Sequence, residues 1–180
     1  FRNVSESWSQ FAERADRKGV WISELRGHLG YGGIIHNFKN YVLRQDGGYA
    51  AAVRQQLKSF YQTAEAFIAS DVSVEERSAL EAIRRTIGTY EARLPIADQA
   101  AREKWQISET DRLVKVDDTE AVSAMAMLEE TWRQTREKAS ADFARTVGEG
   151  EALIDTGFSF LIGLGAVALV LFALYYMLTR

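Results

Sequence analysis

LEAIRRTIGTYEARLPIADQAA, residues 80–101, is the stretch that decides the fold class. Its apolar side chains recur in alternating steps of three and four residues, at Leu80, Ile83, Ile87, Tyr90, Leu94, Ala97 and Ala101. Residues at these steps share one face of an α-helix, so the stretch predicts a long amphipathic helix with a heptad seam. Pro95 has no amide hydrogen for the carbonyl of Glu91, and it predicts a kink in this helix.

Three other segments have the same helical spacing of apolar residues. They contain Trp8, Phe11, Ala15, Ile22, Leu25 and Leu29; Val53, Leu57, Phe60, Ala64 and Phe67; and Ala121, Met125, Leu128, Trp132, Ala139 and Phe143. Helices are therefore expected near residues 5–45, 49–70, 74–113 and 118–178. Because the connections are short, neighbouring helices should run antiparallel. The sequence predicts an all-α fold, an antiparallel up-down-up-down four-helix bundle.

The breaks between these helices have recognisable local chemistry. Asp46-Gly47-Gly48 can turn the chain, since glycine accepts positive φ without steric cost. Ser73 and Glu76 have the spacing of a capping box, in which each side chain bonds the other residue's amide. Asp117 and Glu120 repeat that spacing and are interpreted as the cap of the last helix.

The C-terminal part of the chain differs sharply from the rest. Thr156–Leu178 is 23 residues long and has no charge, whereas all 25 acidic residues lie in the first 155 positions. As a helix it would extend roughly 34 Å, enough to cross a hydrocarbon core of about 30 Å. We interpret residues 156–178 as a transmembrane helix that continues the bundle; the alternative is a buried core helix.

The residues flanking this span indicate its orientation. Tyr175 and Tyr176 lie near its end and Arg180 follows it, a pattern typical of a cytoplasmic C-terminus. Residues 1–155 are then the periplasmic domain of a bacterial inner-membrane protein, and residues 179–180 a cytoplasmic stub. A first membrane helix is expected before Phe1, and an intracellular portion after Arg180.

Composition and motifs exclude several classes of function. The chain has no cysteine, a net charge of −3 and two histidines. These features argue against thiol chemistry and against nucleic acid as a partner. Eight residues separate His28 from His36, about 12 Å along one helix, which is too far to chelate one ion. No nucleotide loop or serine-hydrolase motif occurs, so no catalytic residue, metal site or cofactor is predicted, and the protein is expected not to be an enzyme.

The most distinctive segment is GYGGIIHNFKNYVLR, residues 30–44. Helical spacing aligns His36, Asn40 and Arg44 on one face, with Lys39 beside them. These four residues form a candidate anion-binding site, since two fixed cations can hold a carboxylate. The alternatives are a solvated surface and salt bridges with acids on other helices. The glycines at residues 30–33 indicate either tight packing or a local opening of the first helix.

GYGGIIHNFKNYVLR, the heptad-rich segment after it and the helix start VDDTEAVSAM resemble the periplasmic four-helix-bundle sensor regions of bacterial transmembrane receptors. Such regions belong to chemotaxis methyl-accepting, histidine kinase or diguanylate cyclase receptors. The resemblance implies a homodimer in the lipid bilayer that binds a small molecule or protein in the periplasm and shifts its last helix. The alternative function is a single-span structural or assembly subunit of a larger membrane complex.

Overall fold

The computed structural model describes the backbone of residues 2–178, without the side chains of residues 2–8, 10, 151–152, 154–155, 166–176 and 178. This part of the chain forms six helices and no strand. They are α1 (Arg2–Leu29), α2 (Ile34–Arg44), α3 (Gly47–Ile68), α4 (Val74–Glu103), α5 (Ile107–Val114) and α6 (Thr119–Leu178). The prediction of an all-α protein is confirmed.

The predicted first helix, residues 5–45, is wrong as a single element, because the chain breaks at the glycine cluster. α1 ends at Leu29, and in the turn that follows it Gly32 has φ +79°, a left-handed conformation. The next residue, Gly33, packs so closely on the end of α1 that an added Cβ would lie 2.2 Å from the carbonyl oxygen of His28. The glycines therefore open the helix, and His28 and His36 belong to different helices.

The predicted third helix, residues 74–113, also divides into two. It continues through Pro95 and ends at Glu103, where Lys104 takes a left-handed φ of 58°. The carbonyl of Trp105 then accepts a bond from Gln45 Nε2 at 3.0 Å, and α5 follows. No glycine or proline marks this break, and the amides of Lys104 and Trp105 both bond the Ala100 carbonyl at the helix end.

The predicted caps are confirmed in part. Ser73 and Glu76 form the complete capping box of α4. At the 46–48 turn, the left-handed residue is Gln45 rather than a glycine, and Asp46 caps α3 by accepting from the Gly48 amide. At the start of α6, Asp117 accepts from the Thr119 amide at 3.0 Å.

Glu120 does not close a second capping box. Its carboxylate pairs instead with Arg85 on α4, with 2.5 Å between Nη2 and Oε1. Both side chains are more than half exposed, so the pair contributes little stability by itself. A nearby arginine thus competes with the backbone amide for this carboxylate.

The chain divides into two compact units, residues 1–135 and residues 136–180. In the first unit α3 packs against α1, α2 and α4, and α5 packs against α2 and α4. Most residues of the predicted apolar faces lie in its core, whereas Ala139 and Phe143 belong to the second unit. The buried residues of these faces are Ala15, Ile22, Leu25, Val53, Leu57, Phe60, Ala64, Phe67, Leu80, Ile83, Ile87, Tyr90, Leu94, Ala97, Ala121, Met125 and Leu128. Ala101 and Trp132 are half-buried, and the side chain of Trp8 lies outside the described residues.

The second unit holds the C-terminal part of α6, including the predicted span. Among the side chains that the structure describes, no helix is both long and apolar enough to cross a membrane. Within Thr156–Leu178, the side chains of residues 166–176 and 178 lie outside the described residues. The transmembrane helix therefore stays a prediction.

Candidate functional site

All four residues of the predicted anion site lie on α2, and two of them contact each other. Asn40 Nδ2 lies 2.9 Å from His36 Nε2 and donates to the His36 carbonyl at 3.1 Å. The ring of Tyr31, itself 93% exposed, lies 4.3 Å from the imidazole ring, centroid to centroid. His36 and Asn40 thus form a small half-buried polar cluster beside the glycine break.

Lys39 and Arg44 contact other residues. Lys39 Nζ lies 3.2 Å from Asp118 Oδ2, and the Arg44 guanidinium lies 5.8 Å from the centre of the Tyr49 ring. The contact of Lys39 therefore agrees with the alternative interpretation, a salt bridge to an acid on another element, since Asp118 lies just before α6. Each cation has a partner in this conformation, and the anion site stays a prediction.

Asp118 connects three parts of the first unit. Its Oδ2 accepts from Lys39 and, at 3.2 Å, from the hydroxyl of Tyr90 on α4. Burial, followed by the charge of Asp118, raises the pKa of Tyr90. A cavity of about 480 Å³ lies beside these side chains and is also lined by Phe38 and Val114. The contacts of Asp118 tie α2 and α4 to the segment that leads into α6.

A second polar cluster joins α2, α3 and α4. The Tyr41 hydroxyl donates to Asp98 Oδ1 at 2.9 Å, and Arg54 donates to Asp98 Oδ2 at 2.5 Å. Burial and the bond to Asp98 raise the pKa of Tyr41 from 10.0 to about 12. Sequence reasoning placed no role on these residues, because each lies in a different helix.

The raised pKa of Tyr41 predicts a loss of stability at alkaline pH. Below pH 10 the phenol is protonated in both states, whereas between its unfolded pKa of 10.0 and its folded pKa of about 12 only the unfolded chain ionises. The free energy of unfolding should then fall by up to about 1.4 kcal/mol per pH unit for this group. Tyr41→Phe should reduce that fall in urea denaturation compared across this range. Tyr31→Phe, at an exposed phenol, is the control, and equal effects of the two variants would contradict the prediction.

Sequence reasoning missed a cavity of about 610 Å³ in the first unit. Its wall combines α1, the α3–α4 connection and α6, with the indole rings of Trp21 and Trp132 among its apolar groups. Trp132 Nε1 donates to the Ala15 carbonyl at 2.8 Å, which fixes its indole against α1. The sequence analysis assigned Phe11 and Trp132 only to the helix core and gave Trp21 no role, although Trp21 lies close in sequence to three cations.

A buried ion pair forms part of this wall. Lys18 Nζ lies 2.7 Å from Glu76 Oε2 and 3.0 Å from Oε1, and Glu76 is only 6% exposed. Glu76 Oε2 also accepts from the Ser73 amide at 2.8 Å, which closes the capping box of α4. One carboxylate therefore holds the Lys18 ammonium and the helix start together.

The described side chains contain no group of three or more His, Asp or Glu that could hold a metal ion. No family model, curated protein or solved structure matches the chain. The side chains around the cavity of about 610 Å³ include aromatic rings and charged groups.

Proposed function

We propose that this chain is the extracytoplasmic sensor region of a bacterial inner-membrane receptor, which transmits binding across the membrane through its last helix. The observation that carries the proposal is the composition of α6, Thr119–Leu178. This helix contributes Ala121, Met125 and Leu128 to the core and also contains the uncharged run 156–178. Because α6 is one helix, a change in the packing of its first turns can be transmitted along the helix to the predicted span.

The proposal includes an up-down-up-down four-helix bundle, with α1 and α2 together as its first member. Its support is the order of contacts between helices. Later residues of α1 contact earlier residues of α3, in the pairs Trp21–Phe67 and His28–Phe60, as expected of antiparallel helices. The same reversed order holds between α1 and α6, in the pairs Ala15–Trp132 and Arg26–Glu129. Between the first member (α1 with α2) and α4, the contacting residues follow the same order in both, as expected of parallel members. The pairs are Lys18–Glu76, Phe38–Tyr90 and Tyr41–Asp98.

The membrane part of the proposal is supported by sequence and by exposure within the second unit. Phe158, Phe160, Leu161 and Ile162 are each about two-thirds exposed. Consecutive large apolar side chains in an uncharged run are expected to be shielded from water, and a lipid bilayer would shield them. The tyrosines and arginine at the end of the run favour a cytoplasmic C-terminus.

The absence of cysteine from these 180 residues gives a direct test of this topology, because an introduced cysteine is the only one among them. Ser108→Cys lies on the exposed face of α5, and Thr179→Cys follows the predicted span. In cells that make the protein, with the outer membrane permeabilised, a membrane-impermeant maleimide should label the first variant. It should label the second only after the inner membrane is opened.

Labelling of both variants in detergent is the control for reactivity. Labelling of Thr179→Cys with the inner membrane intact would overturn the proposed topology. Purification in mild detergent distinguishes the alternative role: a single-span assembly subunit should come out of the membrane with a constant partner at fixed stoichiometry, whether or not a ligand is present.

A further inference from the structure

We infer that the cavity between α1, the α3–α4 connection and α6 binds a small organic anion that carries an aromatic ring. The inference names the ligand class of the proposed sensor and in that respect rests on the proposed function. The binding itself needs only the first unit, because every residue that lines the cavity lies within residues 11–135.

The size and walls of the cavity favour an aromatic body. Its volume of about 610 Å³ falls within the range of roughly 300–1,000 Å³ typical of small-molecule sites. Phe11, Trp21 and Trp132 supply aromatic surface. Trp21 is held by ring contact with Phe67, at 5.5 Å between centroids, and Trp132 by its bond to Ala15. Rings fixed in this way can stack on a ligand without further ordering.

The charge of the wall favours an anionic end group. Arg14, Arg17 and Lys18 line the cavity together with two acids, Asp71 and Glu76. Arg17 also pairs with Glu13, with 2.7 Å between Nη2 and Oε1. The two bonds from Lys18 to Glu76 use two of the three donors of its ammonium. A ligand carboxylate can accept the third, and the arginines add charge-assisted bonds. An inorganic anion would leave the aromatic walls unused.

The position of the cavity connects occupancy to α6. Thr131, Trp132 and Thr135 of α6 line the cavity together with residues of α1. Gly19 permits their close approach, since a Cβ there would lie 2.7 Å from the Trp132 ring. A ligand that binds one spacing of these helices more tightly than another shifts their equilibrium by that difference in affinity.

Calorimetric titration of the purified 180-residue chain in mild detergent tests the inference. The probes are naphthoate, its neutral analogue naphthylmethanol, and acetate. Naphthoate should bind saturably and at least about tenfold more tightly than either of the others, because only naphthoate has both ring and charge. No saturable naphthoate binding, or equal binding of naphthylmethanol, would overturn the inference.

Two variants locate the site. Arg14→Gln should weaken naphthoate by about fivefold and leave naphthylmethanol unchanged. Arg77→Gln, at an exposed arginine of α4 that does not line the cavity, is the matched control and should change neither. Thr131→Phe should fill the cavity and abolish binding of both ring probes, with thermal melting to verify its fold. Unchanged naphthoate affinity in both Arg14→Gln and a folded Thr131→Phe would overturn the assignment.

The binding and topology experiments fail independently. Naphthoate binding by a chain whose two introduced cysteines label on the wrong sides of the membrane would refute the proposed function and keep the site. Correct topology without naphthoate binding would refute only the ligand class.

Discussion

Gly33→Ala should destabilise the first unit by about 3 kcal/mol or more. The added Cβ would lie 2.2 Å from the carbonyl oxygen of His28 and 2.6 Å from that of Gly27. Both are backbone atoms at the end of α1, so no side-chain rotation relieves the clash. α2 must move away from α1, which disturbs the buried Ile34 and Phe38. Urea denaturation in mild detergent, followed by tryptophan fluorescence, measures the loss.

Two other glycines are matched controls for this prediction. Gly32→Ala meets no atom within 4 Å but must adopt φ +79°, so its cost should be only about 1 kcal/mol. Gly27→Ala lies inside α1 with open space around it, and should stabilise by up to about 1 kcal/mol. Equal effects at Gly32 and Gly33 would show that the close approach to His28 is unimportant.

These glycines show how much of the fold the sequence can predict. The spacing of apolar residues and the chemistry of helix caps depend only on residues close in sequence. The heptad seam of residues 80–101 and the Ser73–Glu76 capping box were therefore predictable. The break at residues 30–33 depends on a carbonyl of the preceding turn meeting Gly33, which spacing alone does not encode. The same cluster is compatible in sequence with tight packing or with an opening, and the structure has the opening.

The candidate site was less predictable than the fold, because its contacts are distant in sequence. Helical spacing correctly aligned His36 with Asn40, four residues apart. Lys39, in contrast, pairs with an acid 79 positions away, and Lys18 with one 58 positions away. An amphipathic pattern shows which face of a helix is buried but not which residue of another helix it meets. A cavity bounded by three separate segments has no signature in any one of them.

Glu76→Ala should destabilise the first unit by about 3 kcal/mol, because one carboxylate has two functions. It caps α4 through the Ser73 amide, and it neutralises Lys18, whose side chain is only 22% exposed. Removing it leaves an ammonium with reduced access to water and an uncapped helix start. Glu75→Ala, at the exposed neighbouring acid, is the matched control and should cost less than about 1 kcal/mol.

A double-mutant cycle separates the two functions of Glu76. Glu76→Gln keeps an acceptor for the Ser73 amide and removes the charge, so its cost reports chiefly on the ion pair. Lys18→Met leaves the carboxylate buried without its cation, and the pair of substitutions together should cost less than the sum of the two by about 2 kcal/mol. Urea denaturation of the four proteins measures this coupling. Simple additivity would mean that Lys18 reaches water without Glu76, and that Glu76 acts on stability only as the cap of α4.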